Sequence, residues 1–100
     1  MEMVSIQNVK EKIKQRRRQI IVHSYIYYYL NNSVISDHIY DRWCNELVEL
    51  QEKYPDIASE CEFAEEFKGF TGETGFDLYM GSWVHEVAWK ILKYHLYLQK

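Results

Sequence analysis

The stretch from Ile20 to Tyr54, IIVHSYIYYYLNNSVISDHIYDRWCNELVELQEKY, runs from an aromatic-rich apolar segment through a short polar turn into a strongly amphipathic one. Asn31, Asn32 and Ser33 mark the turn, because asparagine tolerates the left-handed conformation that closes a helix and its side chain favours turns over helix interiors. Ser36 is then placed to cap a second helix, with Asp37 against the positive end of its dipole. From Asp37 to about Lys53, the apolar positions Tyr40, Trp43, Cys44, Leu47, Leu50 and Tyr54 recur at steps of three and four, while Glu46, Glu49 and Glu52 take the wet side. A linker of about six residues between two helices predicts an antiparallel helical hairpin.

Upstream, residues from about Ser5 to Leu30 read as one long helix, with Ser5 as N-cap and Ile6, Val9, Ile13 and Ile20 at helical spacing. The β-branched and aromatic content of Ile20 to Leu30 would suit a strand, yet no breaker interrupts the pattern and a lone strand would lack a partner. Downstream, Pro55 stops the second helix at or before Tyr54. A short acidic helix is expected around Ala58 to Phe67, with Phe63 and Phe67 at i and i+4. The glycine-rich segment Lys68 to Gly75 is a loop. A third long helix is expected from Gly81 or Ser82 to about Leu98, burying Val84, Val87, Ala88, Ile91, His95 and Leu98. The fold class is therefore all-α, in one domain spanning residues 1–100, since a chain of 100 residues buries too little surface to build two independent cores.

Apolar residues make up 47% of the chain and charged ones 27%, which is globular rather than disordered composition. The net charge of −3 is unevenly spread, with a basic N-terminal third and a strongly acidic middle from Asp37 to Asp77. The basic run Lys10 to Arg18, KEKIKQRRR, reads as the solvated side of a helix, and direct nucleic-acid contact is disfavoured by the acidic segment in the same small domain. No run approaches the roughly 18 apolar residues needed to cross a bilayer, and the N-terminus lacks a signal-peptide pattern, so a cytoplasmic protein is expected.

Cys44 and Cys61 form no C-x-x-C pair, and the four histidines have no ligand-spaced partners, so no metal is expected. Cys44 lies on the apolar face of a helix, where a thiol is usually inert. No G-x-x-x-x-G-K-[ST] or G-x-G-x-x-G motif is present to cradle a phosphate. What remains is Tyr27, Tyr28, Asp37, Tyr40 and Asp41. If the hairpin closes across Asn31 to Ser36, Tyr27 or Tyr28 lies about one turn from the loop on one helix and Tyr40 and Asp41 about one turn from it on the other. That would bring rings and carboxylates to the same height. Such a cluster suits a flat polar ligand; the same residues also read simply as a hairpin core.

Three blocks, HSYIYYYL from His23, VISDHIYDR from Val34 and ELQEKYP from Glu49, resemble the small N-terminal helical domain of bacterial NAD-dependent DNA ligases in order and spacing. The resemblance covers about residues 9–58. In that family the domain closes over the nicotinamide mononucleotide (NMN) half of NAD, and the matching positions are Tyr27, Tyr28, Asp37, Tyr40 and Asp41. Ser33 stands where the family has proline, and Trp43 where it has a small aliphatic. Past Pro55 the ligase pattern ends, with no K-x-D-G lysine and no zinc module. The resemblance implies a stand-alone, non-catalytic module that binds NMN or the corresponding half of NAD on one open face, with affinity on the order of millimolar. The alternative is a phage- or mobile-element-encoded module that keeps the fold and binds a host protein as inhibitor or modulator, or mimics nucleic acid with its acidic middle. Phe70, Phe76, Tyr79 and Trp83 would be its exposed rings. Residues 59–100 would then be an unrelated helical extension.

Overall fold

The computed structural model describes residues 5–71 and 81–99, and these form an all-helical fold of four helices: α1 Ile6–Tyr29, α2 Asp37–Lys53, α3 Pro55–Glu60 and α4 Ser82–Leu98. The Ser5 side chain accepts from the Asn8 amide and the Ser36 side chain from the Ile39 amide, so both expected N-caps are formed. The α1 helix continues through the aromatic run to Tyr29. There Asn31 takes φ 50°, the left-handed conformation its side chain tolerates, and the Asn32 amide reaches back to the Ile26 carbonyl at 3.1 Å.

The α1 and α2 helices are antiparallel, as their cross-links show. Arg16 meets Glu46 at 2.7 Å, Arg17 meets Gln51, His23 meets Trp43, and Ser24 meets Tyr40. The core between them holds Val9, Ile13, Ile20, Ile21, Cys44 and Leu47, joined by Ala58, Phe67 and Val84. The α4 helix packs on another side of α1 and runs parallel to it, with Trp83 under Arg18, His85 bonded to Tyr25, and Ala88 clustered with Val22 and Ile26. Ten residues follow Ala88 in α4 but only three follow Ile26 in α1. At 1.5 Å per residue, α4 extends about 10 Å further than α1.

Four expectations need correction. The short helix runs from Pro55 to Glu60, not Ala58 to Phe67. Proline suits the first helical position, where no N–H partner is needed. Residues 61–69 are turns, with Phe63 at φ 68°. The basic run is not wholly solvated, because Arg17 is 2% exposed. Its guanidinium donates to the Gln51 side chain and to the Cys61 and Glu62 carbonyls, which holds the start of the turn segment against α1. On α4, Leu92 is buried while Val87 and Leu98 are exposed, so the buried stripe is rotated by roughly half a residue step from the expected one. Finally, Phe70 and Trp83 pack against the core rather than standing free; Phe76 and Tyr79 lie outside the described residues.

Candidate functional site

A cleft of about 170 Å³ opens at the turn end of the hairpin, lined by His23, Ser24, Tyr27 and Tyr28 of α1, Ser33 to Ile35 of the turn, and Asp37 and Tyr40 of α2. Its local geometry follows from sequence. The helical spacing of α1 puts His23 and Ser24 one turn below Tyr27 and Tyr28 on the same face. The turn is set by side-chain bonds, the Ser33 amide donating to Asn32 Oδ1 at 2.9 Å and the Ser33 hydroxyl to the Ile35 carbonyl at 2.8 Å. Ser36 then starts α2 so that Asp37 and Tyr40, three apart, both face the cleft.

Tyr27 and Tyr28 stand edge to face, their ring centroids 4.9 Å apart and their planes at 86°, and form two walls of a corner. Both present substantial ring surface to solvent. Across the cleft, Tyr40 Oη lies 2.6 Å from Ser24 Oγ. Burial pushes the Tyr40 phenol up to about 12, against the opposing effect of the Ser24 hydrogen bond, so it stays neutral over the working pH range. His23 packs its ring edge-on to Trp43 at 5.3 Å, and burial lowers its pKa. Its Nδ1 is the one buried side-chain nitrogen or oxygen without a hydrogen-bond partner among the described residues.

Four of the five site residues expected from sequence, Tyr27, Tyr28, Asp37 and Tyr40, thus line one cleft. Asp41 is not among its lining residues. It borders a separate shallow depression with His38, Arg42, Asn45, Glu46 and Glu49. His23 and Ser24 were not expected at the site; their i, i+4 relation to Tyr27 and Tyr28 is the sequence signal that points to them. No group of His, Cys, Asp or Glu suited to hold a metal occurs among the described residues. Burial pushes the Cys44 thiol up to about 11, the opposite of what a nucleophile needs.

Chemically, the cleft offers aromatic faces for stacking, one carboxylate as acceptor, and a hydroxyl pair that can donate or accept. Its volume is below the roughly 300–1,000 Å³ of sites for drug-sized ligands, and so suits a single ring with its substituents.

Comparison with known proteins places this geometry in context. Residues 6–60 match the family described as DNA ligase-like, N-terminal NAD+-binding domain. A DNA ligase of Thermoanaerobacter sp. (strain X514) is 50% identical over 48 residues, which are 48% of this chain and 7% of that ligase. One from Pseudothermotoga lettingae is 42% identical over 53 residues, 53% of this chain and 8% of the ligase. The chain thus corresponds to less than a tenth of the length of these relatives. No solved structure matches it. None of the helices among the described residues is long and apolar enough to cross a membrane. With more than half of its residues matched, including every residue that lines the cleft, the chain belongs to the family of DNA ligase-like, N-terminal NAD+-binding domains.

Proposed function

We propose that the chain is a binding module for the nicotinamide half of NAD or for NMN, without catalysis of its own. The observation that carries this reading is the cleft at the hairpin turn, whose rings, carboxylate and hydroxyl pair suit a flat carboxamide-bearing ring and its ribose. Tyr27 and Tyr28 stack on or against the ring, and Asp37 and Tyr40, whose phenol is held by the buried Ser24, exchange hydrogen bonds with the amide and sugar hydroxyls. Asp41, one of the five positions suggested by the ligase resemblance, takes no direct part. Open on one side, the cleft binds weakly, on the order of millimolar, because a ligand held on one face recovers little of the freedom it loses. Calorimetric titration with NMN and NAD tests the reading. Heat that disappears on Tyr27→Ala supports it, and absence of heat at millimolar ligand removes it.

A second reading, a module that docks on a host protein, draws on α4. Its Trp89, Tyr94, Leu96, Tyr97 and Leu98 are exposed, and the helix lies outside the ligase-like match. Recovery of a defined partner that is lost on Tyr94→Ser/Tyr97→Ser would favour it.

A further inference from the structure

Among the described residues, the lining of the cleft holds a carboxylate and two tyrosine rings set at a right-angled corner, and no lysine or arginine. A cation over the face of an aromatic ring, within about 6 Å of its centroid, is attracted by the ring quadrupole, and a carboxylate nearby adds a coulombic pull. A phosphate has the opposite requirements, namely cationic side chains or free amides at a helix N-terminus. The N-terminus of α2 does lie at the cleft. One of its amides, that of Ile39, is already capped by Ser36, however, and the Asp37 carboxylate in the first turn opposes a second negative charge there. His23, the other titratable group on the lining with nitrogen, is kept neutral by burial.

We infer that the cleft is an aromatic-cation site, which takes N-substituted pyridinium rings as a class by their positive charge and gains nothing from a phosphate. This rests on the reading of the cleft as a nicotinamide site and specifies what that site measures. The pyridinium lies in the corner of Tyr27 and Tyr28 with its charge toward Asp37, and the 5′-phosphate of a nucleotide projects into solvent. The module therefore separates the oxidised, positively charged ring from the reduced, neutral one, and makes no distinction between nucleoside and nucleotide.

The test uses two matched ligand pairs, titrated into the full chain and followed by amide chemical shifts. The cation 1-methylnicotinamide is compared with neutral nicotinamide, and nicotinamide riboside with NMN. The expected result is a preference of about fivefold or more for the cation and equal affinities, within about twofold, for riboside and mononucleotide. The Asp37→Asn variant, an exposed change at the first position of α2, narrows the cation preference, and Tyr27→Leu narrows it independently. Equal binding of cation and neutral ring, or NMN binding about tenfold tighter than the riboside, overturns this inference and leaves the nicotinamide reading standing. No shifts with any of the four ligands removes both.

Discussion

Tyr40 and Ser24, sixteen residues apart in sequence, are tied by a 2.6 Å hydrogen bond between their hydroxyls that joins α2 to α1 beneath the cleft. Ser24 is 1% exposed, so its hydroxyl has no solvent to turn to if the phenol is removed. Tyr40→Phe is expected to destabilise the fold by about 1–2 kcal/mol, read from the midpoint of urea unfolding. A change within about 0.3 kcal/mol would mean that Ser24 satisfies itself on its own helix.

The same phenol makes the fold sensitive to alkali. Its folded-state value is raised from an ordinary 10 to about 12, and that of the Cys44 thiol from 9.0 to about 11, in both cases chiefly by burial. A raised folded value favours the protonated form, so this stability is fully present below the unfolded values and is lost as pH rises through the folded ones. Melting temperature should therefore fall between pH 9 and 12, and Tyr40→Phe should flatten the upper part of that fall.

His23 acts with the opposite sign. Burial lowers its folded value below the ordinary 6.5, so its contribution is complete above that pH and is lost as pH falls through the folded value. Replacement by Phe, which keeps a ring against Trp43, is expected to reduce the acid sensitivity of unfolding below the ordinary histidine value of 6.5. An unchanged acid limb would show that Nδ1 gains a partner on protonation.

Adjacent arginines should differ widely. Arg17→Ala removes four hydrogen bonds and leaves the Cys61 and Glu62 carbonyls and the Gln51 side chain without their donor, at an expected cost of about 3–4 kcal/mol. Arg18→Ala breaks the 2.7 Å bridge to Glu62, whose partners are 48% and 41% exposed, and should cost about 0–1 kcal/mol. Denaturant unfolding of the two variants measures both; similar losses would refute the role given to Arg17.

Two carboxylates one turn apart provide a control for the site. Asp41→Asn is expected to leave NMN affinity within about twofold of the parent, because Asp41 lines a separate depression and not the cleft. A loss on Asp41→Asn as large as that on Tyr27→Ala would extend the ligand site along α2 to Asp41.

The hairpin was legible because each signal agreed with the next: caps at Ser5 and Ser36, a left-handed asparagine between them, and an apolar stripe on α2 that matched its packed face. The cleft was legible to the extent that helical spacing from the turn fixes height, which brought Tyr27, Tyr28, Asp37 and Tyr40 together. Height does not fix azimuth: Asp41 is one residue step around α2 from Tyr40, enough for it to line a separate depression instead of the cleft. Arg17 could not be read from the run Lys10 to Arg18, since burial of one arginine among several depends on carbonyls 44 and 45 residues away. The phase of α4 was missed because a helix that packs on one neighbour and extends past it has apolar residues on several faces, and its pattern alone does not choose among them.

The parallel course of α4 along α1 also sets an order of assembly. Partners across α1 and α2, such as Ser24 and Tyr40, are 16 residues apart, whereas Tyr25 and His85, across α1 and α4, are 60 apart. Closing the longer loop costs about 1 kcal/mol more in chain entropy. The ligase-like hairpin is therefore expected to condense first and to present the surface on which α4 docks. In the native state the order is expected to reverse, with α4 amides exchanging sooner than those of the hairpin, which amide hydrogen exchange measures. The cleft, whose lining among the described residues comes from α1, the turn and α2, is expected to survive that opening, which makes ligand capture and attachment of the C-terminal helix separable events in the life of one small chain.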